Sequence, residues 1–263
     1  MPELPEVETV RQDILPHLKG KTIKAVAIKD VRVIKGISAS SFKRSVIGER
    51  IEDIERRAKY LLFRMRSGKY MMVHLGMTGR LLLSPDKYVK VSLKLSGNKM
   101  LYYSDLRLFG KLKFFNNYPE LMLGPEPLSK EFSFDVLKEI LKGRKAPIRS
   151  ILLDQKLIAG LGNIYVLESL FNSGIDPRRP AKSLKDHEIK KLHKEIKAVL
   201  IKALGHRGTS FSWYRDAKGK KGGFQLKLNV YGKKGEPCPR CKTPIKRISI
   251  GNRGTYFCPK CQK

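Results

Sequence analysis

Four cysteines near the C-terminus constrain the fold of this chain more than any other feature. They form two C-x-x-C pairs, Cys238 with Cys241 and Cys258 with Cys261, separated by sixteen residues. This spacing is typical of a tetrahedral zinc site built from thiolates, whereas a redox-active pair is the alternative. Four thiolates leave no open position on the metal. We therefore expect one structural Zn²⁺ and a β-hairpin within residues 243–257.

The charge of the chain indicates a polyanionic partner. It holds 55 Lys and Arg against 24 Asp and Glu in 263 residues, a formal net charge of +31. Nucleic-acid binding explains such an excess, although a lysine-rich surface that serves solubility or thermal stability gives the same count. No apolar run reaches the roughly 20 residues of a membrane span, and the acidic start differs from a signal peptide. We expect a cytoplasmic protein without membrane partners.

Hydrophobic periodicity predicts an α+β chain of two domains. Apolar residues recur at helical spacing over 4–18, and short strand-like runs follow, which together predict one helix and a β-sandwich in residues 1–117. A Pro/Gly-rich linker at 118–130 precedes a helical domain at 131–229, and the zinc finger occupies 230–263. The predicted strands are 22–28, 60–65, 70–75, 89–95, 100–104 and 111–115, and the predicted helices of the second domain are 133–142, 147–156, 161–172 and 183–204.

The start of the chain is an acidic island that allows covalent chemistry. Residues 1–13 contain four acidic residues and the single base Arg11. A helix N-terminus explains early glutamates, and Pro2 commonly starts a helix. Removal of Met1, however, exposes the secondary amine of Pro2 next to Glu3. The pKa of an α-amine lies well below that of a lysine side chain. Condensation of the amine with a sugar carbon gives an iminium, and a carboxylate can transfer the protons that this reaction requires.

The chain starts with MPELPEVETV and contains six ordered motifs: RAKYLL from Arg57, HLGMTGR from His74, DLRLFG from Asp105, LGPEPL from Leu123, AGLGNIY from Ala159 and YGKKGEPC from Tyr231. Together these segments resemble the formamidopyrimidine-DNA glycosylases. The sister endonuclease VIII branch, which acts on oxidised pyrimidines, typically starts Pro-Glu-Gly-Pro-Glu. Leu4, with Met77, Arg107 and Phe109 all present, favours the first branch. A non-enzymatic zinc-ribbon nucleic-acid binder explains the charge and the cysteines but not the Pro2-Glu3 start.

The resemblance implies a bifunctional DNA glycosylase and AP lyase for 8-oxoguanine and formamidopyrimidines. Pro2 matches the amine that attacks C1′ of the flipped damaged nucleotide, and Glu3 matches the general acid/base. Lys59 matches the proton donor for β-elimination, with an ordinary phosphate contact as its alternative role. Arg253 matches the hairpin arginine that anchors a phosphate and assists δ-elimination. The expected partner is double-stranded DNA containing oxidised bases or abasic sites, bound by a monomer at the bacterial nucleoid.

A flipped base leaves a gap in the duplex, and the resemblance assigns three residues to it. Phe109 matches the wedge between base pairs, Met77 fills the vacated space, and Arg107 hydrogen-bonds the orphaned base. Without the resemblance, Met77 and Phe109 are more typical of a hydrophobic core.

Other positions match DNA-facing or pocket residues of the family. Asn163 matches the phosphate-binding turn of a helix–two-turns–helix motif in the helical domain, and Lys145 and Arg149 match basic residues that face DNA. Glu6 and Glu168 match carboxylates that line the pocket, with helix caps or ion pairs as the alternative.

Two residues and one segment depart from the family pattern. Tyr88 stands where a DNA-contacting histidine is common, so it can hydrogen-bond a phosphate without adding charge. Leu108 stands where a second basic residue is common. The segment 210–223 matches the lesion-capping loop but differs most from the family, which leaves the preference among damaged bases open.

Overall fold

The computed structural model describes residues 1–211 and 213–263, which form two compact units. The first unit holds Met1–Leu121 and Leu204–Gln225, and the second holds Met122–Ala203 and Leu226–Lys263. Ser212, within the predicted capping segment, lies outside the described residues.

Residues 204–225 pack with the first unit, although the sequence pattern assigns them to the helical domain at 131–229. Arg207 explains this difference because its guanidinium donates hydrogen bonds to the Asp13 carboxylate at 2.6 and 2.7 Å. The backbone N–H of Ala217 also donates to Asp13, at 3.3 Å. These contacts join positions about 200 residues apart, and local sequence periodicity carries no information at that separation.

The first unit begins with helix α1, Leu4–Leu18. Pro5 lies in its first turn, where a missing N–H costs nothing, and Glu6 in the same turn suits the helix dipole. The helix ends ahead of Gly20, whose φ of +77° is accessible to glycine at little cost. Val7, Val10 and Ile14 are fully buried on one face, as the predicted helix requires.

Two antiparallel four-stranded sheets follow helix α1. Their shared core contains apolar residues of both sheets and of α1, so the predicted N-terminal helix and β-sandwich are confirmed. Helix α2, Ala39–Val46, adds to this core through Phe42 and Val46 and is capped by the Ser38 hydroxyl. In spatial order, one sheet consists of β1 (Ile23–Ile28), β6 (Val89–Leu95), β7 (Lys99–Ser104) and β5 (Arg80–Leu82), and the other of β2 (Ile51–Arg57), β3 (Tyr60–Met65), β4 (Tyr70–His74) and β8 (Lys111–Phe115).

The second unit contains the four helices that the sequence predicts, each within about three residues of its expected bounds. Helix α5 ends at Gly174, whose left-handed φ of +78° closes its last turn. None of the described helices is both long and apolar enough to span a membrane. The helices are α3 (Phe134–Leu141), α4 (Ile148–Leu153), α5 (Asn163–Ser173) and α6 (Asp186–Gly205), the last two residues of α6 belonging to the first unit.

A hairpin of β9 (Lys246–Ile250) and β10 (Arg253–Phe257) completes the second unit and confirms the strands expected within 243–257. The cysteines lie on either side of this hairpin. Buried Leu167 and Phe171 of α5 pack against Cys238 and Cys258. The hairpin and its cysteines are therefore packed against α5 through an apolar cluster.

Candidate active site and DNA interface

The N-terminal carboxylates are buried and fixed by backbone donors. Pro2, Glu3 and Glu6 are all buried. The Glu3 N–H donates to Glu6 Oε2 at 2.7 Å, and the Thr209 N–H donates to Glu6 Oε1 at 2.7 Å. Glu6 thus uses both oxygens to tie the start of the chain to the 204–225 segment.

Gly208 makes this arrangement possible. Its φ is +78°, and a Cβ at this position would lie 2.6 Å from Glu6 Oε1. Tyr214 supports the same region, with its hydroxyl 3.2 Å from the Arg207 carbonyl oxygen and 3.4 Å from that of Glu6. Burial raises the pKa of Tyr214, so the phenol remains a neutral donor.

Lys59 lies at the tight turn between β2 and β3, next to His74 on β4. The turn is made by Ala58, whose φ is +53°, and the Lys59 side chain is buried. Burial, together with the nearby charges of Lys59 and Lys111, lowers the pKa of His74 to about 4. The neutral His74 ring accepts the Gly76 N–H at Nδ1, 3.2 Å away, and so shapes the turn that carries Met77.

Met77, Arg107 and Phe109 form one exposed cluster. Met77 and Phe109 are 42% and 50% exposed, so neither is a core residue. The Arg107 guanidinium lies 4.6 Å from the centre of the Phe109 ring and within 3.7 Å of the Met77 sulfur. Two apolar side chains and a cation therefore project together from adjacent turns.

Asp105 holds these turns, and the sequence reasoning did not single it out. It is fully buried, and its carboxylate accepts the Gly110 N–H at 2.8 Å and the Arg107 N–H at 3.2 Å. The Thr78 hydroxyl donates to the same group, which joins the Met77 turn to the Arg107 turn. The sequence signal for this role is the position of Asp105 at the start of the DLRLFG motif, because Asp side chains commonly accept hydrogen bonds from the backbone of turns.

In the second unit, Asn163 connects the helix–two-turns–helix turn to the hairpin. Its Oδ1 accepts from Arg149 at 2.7 Å, and its Nδ2 donates to the Gly254 carbonyl at 2.9 Å. Arg149 is 2% exposed and also donates to the Ile250 carbonyl at 2.8 Å. Arg149 therefore positions the hairpin instead of facing DNA, whereas Lys145 and Arg253 are exposed.

Glu168 is buried and holds the backbone of the segment that follows residue 228. Its oxygens accept the backbone N–H groups of Asn229, Val230 and Tyr231 at 2.8 to 3.0 Å. The predicted site residues thus fall in two groups. Pro2, Glu3, Glu6, Lys59, Met77, Tyr88, Arg107 and Phe109 lie in the first unit, and Lys145, Asn163, Glu168, Arg253 and the four cysteines lie in the second.

The four cysteine sulfurs have the geometry of a zinc site. All lie within 4.8 Å of one another, with Cys241 and Cys258 at 3.4 Å and Cys238 and Cys261 at 3.9 Å. A tetrahedron with Zn–S bonds of about 2.3 Å has S···S edges of about 3.8 Å. The cluster therefore fits one structural zinc ion that Cys238, Cys241, Cys258 and Cys261 hold.

Comparison with known proteins agrees with this architecture. The chain matches three family domains: the formamidopyrimidine-DNA glycosylase N-terminal domain over residues 1–112, the H2TH domain of the same enzymes over 123–214, and the zinc finger found in FPG and IleRS over 235–263. A formamidopyrimidine-DNA glycosylase of Carboxydothermus hydrogenoformans is 42% identical over 268 residues and covers 100% of both chains.

Two solved structures resemble the fold of the whole chain. MutM (Fpg) from Thermus thermophilus is 40% identical with a TM-score of 0.92, covering 99% of this chain and 98% of that one. A Lactococcus lactis Fpg variant in complex with Fapy-dG-containing DNA is 35% identical with a TM-score of 0.91, covering 100% of both. The chain belongs to the formamidopyrimidine-DNA glycosylase family.

Proposed function

We propose that this protein excises oxidised purines, 8-oxoguanine and formamidopyrimidines, from duplex DNA and then cleaves the abasic strand. The observation that carries the proposal is the construction of the N-terminus. Pro2 and Glu3 are buried, and Glu6 fixes the Glu3 backbone at 2.7 Å. Once Met1 is removed, the Pro2 amine lies beside a carboxyl group on a fixed backbone, as covalent catalysis requires.

Base excision begins at the amine of processed Pro2. The amine nitrogen attacks C1′ of the flipped nucleotide, the C1′–N bond of the damaged base breaks, and the base leaves with a proton. Opening of the sugar then gives an iminium between Pro2 and C1′, with Glu3 carrying the protons.

Strand cleavage follows because the iminium accepts electrons. Loss of the C2′ proton expels the 3′ phosphate by β-elimination, and a second elimination expels the 5′ phosphate. We assign Lys59 to proton donation in the first elimination and Arg253 to phosphate anchoring and the second elimination.

The remaining residues bind the DNA. Met77, Arg107 and Phe109 take the space of the flipped base, and Tyr88, Lys145 and Asn163 contact the strands. We propose that a monomer carries out this reaction in the bacterial cytoplasm, where the thiols of the zinc site stay reduced.

Nicking assays test the substrate class. We expect cleavage of a duplex with 8-oxoguanine opposite cytosine and much weaker cleavage of one with thymine glycol, because the chain resembles the purine branch. Glu3→Gln is the matched control and should bind the lesion duplex without cleaving it. A preference for thymine glycol supports the endonuclease VIII-like alternative, and binding without any nicking supports the zinc-ribbon binder.

A further inference from the structure

A concave surface in the first unit includes Trp213 and Arg215 of the capping segment, residues 210–223. Its volume is about 410 Å³, and it is called the Trp213 site below. Apart from Tyr88, none of its residues belongs to the reaction or DNA-contact set. The lining residues are Arg80, Asp86, Lys87, Tyr88, Trp213 and Arg215.

The Trp213 site offers an aromatic stacking surface. Tyr88 and Trp213 pack edge to face, with ring centres 6.2 Å apart and planes at 77°. Lys87 places its ammonium 5.2 Å from the centre of the Tyr88 ring and covers part of it. Trp213 is 38% exposed, so the indole is the ring that can accept a planar ligand.

The same site carries an excess of positive charge. Three cations, Arg80, Lys87 and Arg215, surround the single carboxylate of Asp86. That carboxylate is already engaged, because it accepts the Tyr88 N–H at 2.9 Å and the Ser104 hydroxyl at 2.6 Å and pairs with Arg80 at 3.4 Å. The Arg80 Nε is buried and has no hydrogen-bond partner among the described residues. An anion is the ligand that this arrangement favours.

We propose that the Trp213 site binds one nucleotide outside the reaction pocket, with its base stacked on Trp213 and its phosphate held by Arg80, Lys87 and Arg215. Arg and Lys next to an exposed indole are the elements of single-strand nucleotide binding. The proposal deepens the proposed function, since the DNA substrate is one source of such a nucleotide. A free mononucleotide offers the same chemistry. Lys87 and Arg215 also supply the charge that Tyr88 lacks.

Fluorescence tests the site directly, because Trp213 is the only tryptophan of the chain. The zinc-loaded full chain is titrated with a single-stranded oligonucleotide, with dGMP and with inorganic phosphate. We expect saturable quenching by the oligonucleotide and none by phosphate alone. If dGMP quenches at concentrations similar to those of the oligonucleotide, a free nucleotide is a sufficient ligand. If only the oligonucleotide quenches, the ligand is a DNA strand. Absence of quenching by both nucleotide probes would overturn the proposal.

Substitutions separate stacking from general attraction. Trp213→Ala should weaken oligonucleotide binding, measured by anisotropy of a labelled strand, by about tenfold, the size of one base–aromatic stack. Trp213→Phe should restore most of it. Lys87→Ala should weaken binding more than Lys24→Ala, a matched change at an exposed lysine of β1. Equal binding by the wild type and Trp213→Ala would contradict the proposal.

Failure of this inference is distinguishable from failure of the proposed function. The oligonucleotide in the binding assays is undamaged, so binding is read without excision. Nicking of lesion duplex without Trp213 quenching overturns the nucleotide site alone. Trp213 quenching that Lys87→Ala weakens, without nicking, overturns the glycosylase reaction alone.

Discussion

At the scale of single residues, the site depends on close contacts that leave no room for larger groups. Glu6 receives two backbone N–H groups at 2.7 Å, and Gly208 lies against its carboxylate. Hydrogen bonds to a buried carboxylate are worth more than neutral ones, and their loss leaves unsatisfied donors. The position of Glu3 therefore depends on a glycine more than 200 residues away.

Gly208→Ala should displace Glu6 and lower both stability and excision. Gly219→Ala is the matched control, because Gly219 has a φ of +79° but nothing within 4 Å of its would-be Cβ. Both substitutions incur a left-handed backbone cost of about 1 kcal/mol. We expect Gly208→Ala to cost about 1–3 kcal/mol more in urea unfolding, from weakened hydrogen bonds to Glu6. Equal unfolding and nicking by the two variants would contradict the role of Glu6.

Part of this residue-level arrangement was accessible from the sequence. Pro2 and Glu3 are adjacent in the chain, so the amino-acid order alone is enough to consider their chemistry. Two partners could not be predicted, Thr209 of Glu6 and Thr78 of Asp105, because they come near these carboxylates only after folding. For the same reason, the sequence placed Arg149 toward DNA, whereas its burial and its bond to Asn163 make it a positioning residue.

At the scale of elements, regular patterns predicted helices and strands well, and irregular ones did not. Strand β2 carries charged residues at most positions and buries only Ile51 and Ile54, so its period of two is hidden. Strand β5 has three residues, too few for a pattern. Helix α2 is rich in serine, a residue that favours turns and caps. These three elements were therefore missing from the sequence-based description.

The hairpin element depends on its metal, and Cys258→Ser tests this dependence. The substitution removes one of four thiolates and should release zinc, measured by metal analysis. We expect DNA affinity to fall by about tenfold or more, because the hairpin presents Lys246, Arg247 and Arg253 for phosphate contacts. Trp213 emission during thermal unfolding should change little, since Trp213 belongs to the first unit. Unchanged DNA binding by zinc-free protein would contradict the role of the hairpin.

At the scale of the whole molecule, the net charge of +31 exceeds what the assigned contacts use. Lys59, Arg107, Lys145 and Arg253 account for only a small part of it. Nonspecific attraction to DNA and simple solubility both explain the remainder, and they differ in their response to salt. The sequence shows the charge but cannot assign it, because that depends on which lysines face the duplex.

Salt dependence decides between these explanations. If the excess charge attracts DNA, affinity for undamaged duplex should fall by about 10³-fold or more between 50 and 200 mM salt, as for about six phosphate contacts. The lesion duplex should show a similar slope, because phosphate contacts are independent of sequence. If the decrease of DNA affinity with salt corresponds to only one or two phosphate contacts, most of the lysines serve solubility. The measurement is fluorescence anisotropy of labelled duplexes over a salt series.

We expect the amine of Pro2 to form a covalent bond with the damaged nucleotide, and borohydride trapping measures this bond directly. Protein shown by mass spectrometry to begin at Pro2 is incubated with 8-oxoguanine duplex and reduced. We predict a stable protein–DNA adduct whose peptide map places the DNA on Pro2, and we predict that Pro2→Gly abolishes base excision. An absence of adduct with correctly processed protein, or an adduct mapped to a lysine, would contradict the account.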